Sequence, residues 1–496
     1  MTFTKGQNKE KTTYYSETYR PQFHFTPEAN WMNDPNGMVY YAGEYHLFYQ
    51  YHPHGDTWGP MHWGHAVSKD MVHWEHLPIA FEPDELGMIF SGSAVVDWND
   101  TTGFFNGKDG LVAMFTHAND GLQRQSIAYS KDKGRTWEKY EWNPVIENPG
   151  IKDFRDPKVL WHEETNKWVM VLAAGQKVMF YSSPNLKEWD FLSEFGLEDG
   201  AHGGVWECPD LFQLPVDGNH DNKRWVLQVD LGDGAIAGGS GGQYFIGEFD
   251  GITFTNENAP SEVLWVDYGK DFYAAQSFSD VSEEDGRRVW LAWMSNWKYA
   301  NEVPTNPWRS AMSIPRQVEL IENKKGQIKL IQKPVVELEG LRQKVKEIKN
   351  EVACAERNLL SDVQADVFEL VAELEDVTAT EFGLKVRKST EGQETTIGYE
   401  VKSETLFVDR THSGESDFSE EFSGRHSVQI AKKDGKLQLR MFVDRSSVEV
   451  FANEGEAVFT NLIFPDEESK GLELYVVGGE IRVHSLVIYP LTTTWR

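Results

Sequence analysis

The chain has few cysteines and no long apolar segment. Only 2 of its 496 residues are cysteine, Cys208 and Cys354, so no disulfide framework is predicted and a reducing compartment is permitted. No run of roughly 18 apolar residues is present that would predict a membrane span. Met1–Glu17 is polar and lacks the pattern of a signal peptide. The chain as written is therefore predicted to be cytoplasmic, or extracellular if a leader has been removed.

Lys and Arg are scarce relative to Asp and Glu. The chain has 48 of the former and 78 of the latter, which gives a formal net charge of −30. Nucleic acids and anionic membranes are bound by clustered Lys and Arg, so this charge excludes both as partners. A neutral substrate fits best. The 18 tryptophans mildly favour a carbohydrate, because indole rings stack on the apolar faces of sugars as well as filling cores.

Signals for a metal ion or a phosphate cofactor are also missing. The run Gly238–Gly242 is rich in glycine but lacks the Lys-Ser or Lys-Thr of a phosphate-binding loop. Four histidines cluster in sequence, but Pro53 lies between the first two and both cysteines are distant. These histidines are His52, His54, His62 and His65. We therefore predict no metal site and no cofactor, and we interpret the histidines as loop or pocket-rim residues.

Five short apolar segments recur along the first two thirds of the chain. They are Tyr45–Tyr51, Leu111–His117, Trp168–Gly175, Trp225–Gly232 and Val289–Ser295. Each is typical of a buried strand, and successive segments lie roughly 55 to 65 residues apart, about one four-stranded propeller blade. Helical periodicity is nearly absent. The spacing predicts an all-β protein whose residues 1–335 form a five-bladed β-propeller around a narrow axial pocket.

A second repeat supports this interpretation. Three turns start with a serine and reach a tryptophan a few residues later: Ser68 to Trp74, Ser130 to Trp137, and Ser183 to Trp189. After about residue 335 the character changes. Residues 336–355 are charged, lack the strand pattern and predict a linker with one short helix. Residues 356–496 return to short alternating segments separated by turns such as Asp434-Gly435, which predict a β-sandwich.

Asp34 and Asp156 stand out as acids in unusual local settings. Asp34 lies in Asn33–Gly37, a run of turn-forming residues between apolar neighbours, where a carboxylate would sit at a strand edge facing a cavity. The alternative is an Asx turn that caps the backbone. Asp156 follows Arg155 and leads into an apolar strand, so the guanidinium could keep it ionised. The alternative is a surface ion pair.

Glu207 is the third such acid. It lies between Trp206 and Cys208 in an apolar stretch, and such a setting favours the protonated carboxyl that a general acid needs. The alternative is a side chain directed to solvent. Three carboxyl groups on three blades fit the hydrolysis of a glycosidic bond, with one as nucleophile, one as acid and base, and one holding sugar hydroxyls.

These motifs together resemble glycoside hydrolase family 32, the β-fructosidases, which include levanases, exo-inulinases and invertases. The resemblance rests on Trp31–Gly37, Arg155-Asp156-Pro157, Glu207-Cys208 and the tail segment Asp444–Phe451. It implies that Asp34 is the nucleophile, Glu207 the acid and base, and Asp156 the stabiliser of the transition state. It also implies a retaining, exo-acting enzyme that releases terminal fructose from levan, inulin and sucrose. The stretch 203–212 resembles levanases and exo-inulinases more than sucrose-6-phosphate hydrolases.

The same resemblance implies a set of residues that bind the sugar. They are Asn33, Gln50, Trp58, Phe90, Ser91 and Arg155, with a less close match at Asp271, Tyr273 and Trp297. The expected partner is a fructose-containing oligosaccharide or polysaccharide.

Three alternative functions stay open at this point. A fructosyltransferase would pass the fructosyl group to a sugar hydroxyl instead of water. A non-catalytic fructan-binding protein would keep the fold but lack one of the three carboxylates, and none is missing. An inverting pentosidase on the same propeller would hold its two working carboxyls about 6.5 to 9.5 Å apart. The sequence also leaves open whether the sandwich mediates a homodimer and which fructan is preferred.

Overall fold

A computed structural model describes residues 14–282, 284–343 and 346–495. Within these residues the secondary structure consists of 34 strands and two short 3₁₀ helices. The first part contains β1 (Asn30–Tyr41), β2 (Glu44–His52), β3 (His62–Ser68), β4 (Trp74–Phe81), β5 (Met88–Val96), β6 (Leu111–Asn119), β7 (Leu122–Ser130), β8 (Glu138–Lys139), β9 (Phe154–His162), β10 (Lys167–Ala174), β11 (Val178–Ser183), β12 (Asp190–Phe195), β13 (Trp206–Val216), β14 (Asn219–Leu231), β15 (Gly241–Phe249), β16 (Phe254–Asn256), β17 (Leu264–Trp265), β18 (Tyr273–Ser277), β19 (Arg288–Met294), β20 (Trp308–Arg309), β21 (Ala311–Met312), β22 (Arg316–Glu322) and β23 (Ile328–Pro334).

These strands form five blades. Strands β1–β4, β5–β8, β9–β12 and β13–β16 are antiparallel meanders of consecutive strands, and the fifth blade runs β18, β19, β22, β23. The first strands of the blades contact one another in a closed cycle, β1 to β5 to β9 to β13 to β18 and back to β1. They are therefore the inner strands of a ring, and the short β20 pairs with β1 to tie the end of the fifth blade to the first.

The five apolar segments predicted from the sequence are the second strands of the blades. They correspond to β2, β6, β10, β14 and β19. Second strands are covered on both faces by neighbouring blades, so most of their residues are buried and they appear in the sequence as almost continuous apolar runs. This burial is why the blade count could be predicted.

The serine-to-tryptophan repeats join the third strand of a blade to the fourth. In each, the indole N–H donates to a carbonyl oxygen three residues earlier: Trp74 to Met71 at 3.0 Å, Trp137 to Gly134 at 3.1 Å and Trp189 to Leu186 at 3.0 Å. The acceptor residue has a positive φ in every case. The tryptophan thus closes the turn that the short polar residues open.

The C-terminal part is a sandwich of two antiparallel sheets. Its strands are β24 (Lys346–Cys354), β25 (Phe368–Asp376), β26 (Glu381–Lys388), β27 (Glu394–Glu400), β28 (Thr405–His412), β29 (Arg425–Gln429), β30 (Leu437–Asp444), β31 (Ser447–Ala452), β32 (Ala457–Leu462), β33 (Gly471–Val477) and β34 (Glu480–Pro490). One sheet has the order β24-β34-β25-β30-β31-β32 and the other β29-β28-β27-β26-β33. Their inner faces enclose a common apolar core.

The predicted linker, residues 336–355, differs from the structure in its second half. A 3₁₀ helix covers Val336–Leu341, and β24 then pairs with β34 as an edge strand of the sandwich. A second 3₁₀ helix covers Asn453–Gly455. Most side chains of β24 are charged or exposed, which is usual for an edge strand that must resist pairing with other chains. Because these side chains are charged, β24 lacks the alternation of apolar and polar residues from which a strand is predicted. The domain boundary at 335 stays a prediction.

The propeller and the sandwich meet through buried charged groups. Arg316, at the start of β22, pairs with Asp267 at 3.1 Å and with Glu449 of the sandwich. His24 lies between Glu449 and Asp444, at 2.8 Å from each. All these side chains are essentially inaccessible to solvent. In the residues that the structure describes, no helix is long and apolar enough to cross a membrane.

Candidate active site

All five inner strands are irregular at the same end of the ring. The ladder between the first and second strand shifts register between Met32 and Pro35 in β1, Ile89 and Gly92 in β5, Glu207 and Asp210 in β13, and Tyr273 and Gln276 in β18. In β9 the shift falls between Arg155 and Lys158. Such bulges redirect side chains away from the regular alternation. They aim residues of five blades at one point on the axis.

Backbone strain is concentrated at the same positions. Asp156, Cys208 and Ala274 have φ values of 63°, 48° and 56°, in the left-handed region that residues other than glycine rarely occupy. Asp34, Asp156 and Cys208 are each followed by proline, which cannot donate to the ladder and is found in strands mainly at bulges. An acid followed by proline inside an apolar strand was therefore a usable sequence signal.

Three donors hold the Asp34 carboxyl group at the end of the ring where the inner strands are irregular. Ser91 Oγ donates to Oδ2 at 2.6 Å and Asn33 Nδ2 donates to Oδ1 at 3.0 Å. The Cys208 thiol lies 3.5 Å from Oδ2. The residue is 8% exposed. Burial raises the pKa of Asp34, the bond from Ser91 opposes this, and the nearby charge of Glu207 raises it further.

Asp156 lies on the other side of the same thiol. Cys208 donates its backbone N–H to Asp156 Oδ2 at 2.9 Å, and its sulfur is 3.6 Å from that oxygen. Burial raises the pKa of Asp156 to about 7; Arg155 counteracts this, while Glu207 and Asp34 add to it. Asp34 and Asp156 are thus two buried carboxyls in contact with one thiol. This is not the surface ion pair considered for Asp156.

Glu207 faces the two aspartates across Arg155. The guanidinium donates to Glu207 Oε1 from Nη2 at 2.6 Å and from Nε at 3.1 Å, and Nε lies 3.9 Å from Asp156 Oδ2. The Tyr273 hydroxyl donates to Glu207 Oε2. The Glu207 side chain is 20% exposed, so the apolar enclosure expected from its sequence neighbours is absent. The neighbouring Cys208 thiol contacts the two aspartates instead of enclosing Glu207.

Two further sequence-predicted residues make their contacts close to these acids. Gln50 Nε2 donates to the carbonyl of Ile89 at 3.0 Å, beside the β5 bulge. Trp297 stacks on Trp31, with ring centroids 6.0 Å apart. Asn33, Ser91, Arg155 and Tyr273 contact the three carboxyls directly, whereas the sugar-binding role of Gln50 and Trp297 stays a prediction.

Trp58 and Phe90 stand at the rim. Their rings are in edge contact at 6.2 Å, and Trp58 is 42% exposed. A half-exposed aromatic ring at the entrance of a polar pocket is suited to stacking on a sugar ring. The role of both residues in binding the sugar stays a prediction.

Asp271 does not lie in the pocket, so this prediction is wrong. Its carboxylate is inaccessible and accepts hydrogen bonds from Arg410 Nη1 at 2.6 Å, Tyr299 Oη at 2.5 Å and the backbone N–H of Leu462 at 2.8 Å. Arg410 and Leu462 belong to the sandwich. Three of the roughly four acceptor positions of the Asp271 carboxylate are therefore occupied at the contact between the two domains, and burial closes this carboxylate to a ligand.

Asp230 is the acid that the sequence reasoning missed. It is fully buried in β14 directly opposite Glu207 in the β13–β14 ladder, and Gln228 Nε2 donates to its Oδ2 at 2.6 Å. Burial raises the pKa of Asp230 well above its usual range. The available signal was an aspartate inside the apolar run Trp225–Gly232, where an unpaired charge is costly.

The arrangement can support displacement at a sugar carbon. It presents one carboxyl fixed by neutral donors, a second beside it and a third that is partly accessible and bound to Arg and Tyr. In the part of the chain that the structure describes, no three His, Cys, Asp or Glu side chains are placed to share a metal ion. The chemistry available to these side chains is proton transfer and nucleophilic attack.

Comparison with known proteins decides the family. Residues 24–334 match the family model of the N-terminal domain of glycosyl hydrolases family 32, and residues 337–490 match the model of the C-terminal domain of the same family. The chain belongs to glycosyl hydrolase family 32. It is therefore a glycoside hydrolase of the β-fructosidase type, as its motifs predicted.

Individual relatives agree over nearly the whole chain. A levanase of Bacillus subtilis (strain 168) is 58% identical over 100% of this chain and 74% of its own length. An extracellular exo-inulinase of Aspergillus awamori is 41% identical over 97% of this chain and 96% of its own. The structure of β-fructofuranosidase from Schwanniomyces occidentalis complexed with fructosyl-erythritol has a TM-score of 0.90, 34% identity, and coverage of 98% and 100%. The predicted fold, a five-bladed β-propeller followed by a β-sandwich, is confirmed.

Proposed function

We propose that this family 32 enzyme removes terminal β-D-fructofuranosyl residues from levan, inulin and sucrose with retention of configuration. The observation that carries the proposal is the convergence of Asp34, Asp156 and Glu207 at one end of the axis, around the Cys208 thiol and the Arg155 guanidinium. The names of the relatives, a levanase, an exo-inulinase and a β-fructofuranosidase, support the substrate class.

In the first step Asp34 attacks C2 of the terminal fructose. Its carboxylate is oriented by Ser91 and Asn33, so little reorganisation is needed to reach the reacting geometry. A new bond forms between the carboxylate oxygen and C2 as the bond from C2 to the leaving oxygen breaks. Glu207 gives its proton to that oxygen, and the product is a fructosyl ester of Asp34.

In the second step water replaces the ester. Glu207, now a carboxylate held by Arg155 and Tyr273, takes a proton from the water, whose oxygen attacks C2 and releases Asp34. Asp156 accepts hydrogen bonds from two fructose hydroxyls and stabilises the positive charge that develops on the ring. Two inversions at C2 give net retention.

The test is the stereochemistry and identity of the product. Sucrose, inulin and levan should each release free fructose from the chain end, and proton NMR at early times should show the β-fructofuranose form before mutarotation. Asp34→Asn and Glu207→Gln should each lower kcat by at least about 10³-fold with circular dichroism unchanged. Early appearance of the α form, or wild-type turnover in either variant, would refute the assignment.

Transfer to a sugar hydroxyl is the second candidate, because the fructosyl ester is common to both reactions. Product analysis at high sucrose separates them: hydrolysis gives glucose and fructose in equal amounts, and transfer gives an excess of glucose with new oligosaccharides.

A homodimer through the sandwich stays a prediction, and so does the cellular location, which is cytoplasmic for the chain as written and extracellular if a leader has been removed. The word "extracellular" in the name of the Aspergillus awamori relative supports the extracellular location. Light scattering on the purified protein tests the first, and activity in the culture medium compared with washed cells tests the other.

A further inference from the structure

A cavity lies at the opposite end of the propeller axis from the three carboxyls. Its volume is about 700 Å³, within the range of about 300 to 1,000 Å³ usual for ligand pockets. Its walls come from the far ends of the inner strands, including Val95 and Val96 of β5, Leu160 of β9 and Leu211 of β13. On β9, Trp161 is roughly 15 Å further along the strand than Asp156.

The two ends are separated by a buried polar plug. The Lys158 ammonium donates to the carbonyl of Ser277 at 2.7 Å and pairs with Asp210 at 3.4 Å. Asp210 in turn accepts the backbone N–H of Ser277 at 2.6 Å. A molecule in the far cavity therefore cannot enter the catalytic end through the axis.

Tryptophan rings face this cavity. Trp98 is 56% exposed although its indole N–H is fixed to Asp280 Oδ1 at 2.8 Å and its ring packs edge-on against Tyr41 at 6.0 Å. Trp161, half-buried, is braced by Trp168 at 5.2 Å. A large apolar surface that is rigidly held and left in water is a preformed platform for a ligand with an apolar face.

The remaining walls carry hydrogen-bonding groups of balanced charge. The exposed side-chain amides of Asn99, Asn166 and Gln213 line the cavity. The charged lining residues are two cations, Lys158 and Arg288, and two acids, Glu163 and Asp280. Amides and charged groups of both signs hydrogen-bond hydroxyl groups, and the balance disfavours a strongly charged ligand.

We propose that this cavity is a second, non-catalytic binding site for a fructan chain. This inference rests on the proposed function, which supplies the identity of the oligosaccharide. Trp98 and Trp161 stack on furanose rings, and the amides bind their hydroxyls. A polymer held at one end of the propeller keeps its free ends close to the catalytic end of the same or a neighbouring enzyme molecule, which raises their effective concentration.

The test uses levan retention in native gels. The protein carries Asp34→Asn to prevent cleavage, and saturating fructose occupies the catalytic pocket, so the remaining retention reports the far cavity. Trp98→Ala should weaken retention about two- to tenfold, the amount that one aromatic contact contributes. Trp98→Ala/Trp161→Ala should abolish it. Trp142→Ala is the matched control, since Trp142 is 71% exposed and does not line the cavity.

Kinetics separate this inference from the proposed function. In the active enzyme, Trp98→Ala should leave kcat/KM for sucrose unchanged and lower kcat/KM for high-molecular-mass levan. If levan retention is equal in the parent and the double variant, or if dextran gels retain the protein as well as levan gels do, the second site is wrong. If no variant hydrolyses sucrose but retention still depends on Trp98, the proposed function fails and the cavity assignment survives.

Discussion

Asp230 and Glu207 face each other across the ladder between the first two strands of the fourth blade. One is inaccessible and the other opens to the pocket. Burial raises the pKa of Asp230 well above its usual range and so favours its protonated form. Unlike a carboxylate, a protonated carboxyl does not repel the negative charge that Glu207 carries between the two steps of the proposed mechanism. It therefore supports the catalytic end without contact with substrate.

Substitution of Asp230 tests this positioning role. Asp230→Asn keeps an oxygen for the amide of Gln228 and should retain kcat/KM for sucrose within about threefold. Asp230→Ala leaves that amide unsatisfied in the interior, at a cost of about 1–3 kcal/mol, and should lower both the unfolding temperature and kcat. A purely structural role would move only the unfolding temperature, so the ratio of kcat between the two variants is the deciding measurement.

The buried carboxyl group of Asp34 is expected to lower the stability of the folded protein at neutral and alkaline pH. Its pKa is raised in the folded protein, so the folded state binds more protons than the unfolded chain, and stability falls as pH rises from about 4 through the folded pKa. Asp34→Asn should thus raise the apparent unfolding temperature by about 1–3 °C at pH 8 and by much less at pH 4, whereas its kcat is expected to fall.

The control for that experiment is Asp233→Asn. Asp233 is an exposed acid paired with Lys298 at 2.7 Å, and the hydrogen bond to Lys298 lowers its pKa. Removal of this charge should leave the unfolding temperature unchanged or slightly decreased. A gain from Asp233→Asn as large as that from Asp34→Asn would show that net charge, and not the buried carboxyl, is responsible.

His24 should make the domain interface sensitive to alkali. Burial lowers its pKa, but hydrogen bonds to Asp444 and Glu449 outweigh this and raise it to about 9. A raised histidine pKa gives stability that is fully present below about pH 6.5 and is lost as pH rises to about 9. The loss is of the order of 3 kcal/mol.

Urea unfolding between pH 6 and 10 measures this effect. His24→Gln should be less stable at pH 6 and show a flatter decline toward pH 10 than the parent protein. His73→Gln, an exposed histidine paired with Asp70, is the control and should follow the parent curve. Parallel curves for the parent and His24→Gln would contradict the role of His24.

Asp271 is expected to matter for stability and not for sugar binding. Asp271→Ala leaves Arg410 charged and unpaired in the interior and should cost about 3–5 kcal/mol. KM for sucrose in the folded fraction should stay at the parent value. The double variant Asp271→Leu/Arg410→Met should recover much of the stability. A large rise in KM for sucrose with unchanged stability would show instead that Asp271 binds the sugar.

Local pattern was enough to predict the propeller and to single out the three acids that the fold brings together. The second strand of each blade is buried on both faces, so its apolar run does not depend on which residues lie opposite. Asp34 and Asp156 are followed by proline, and Glu207 by Cys208-Pro209, within otherwise apolar strands, and such interruptions are visible without knowledge of any partner.

Tertiary structure decided which other acids belong to the site. Asp230 and Asp271 both lie near apolar strands, and their sequence settings do not distinguish a residue behind the catalytic carboxyl from one at a domain interface. What separates them is contact with groups distant in sequence: Asp271 with Arg410, 139 residues away, and Asp230 with the strand that carries Glu207. The strand β24 escaped prediction for the same reason, since an edge strand is defined by the neighbour it pairs with and not by its own apolar pattern.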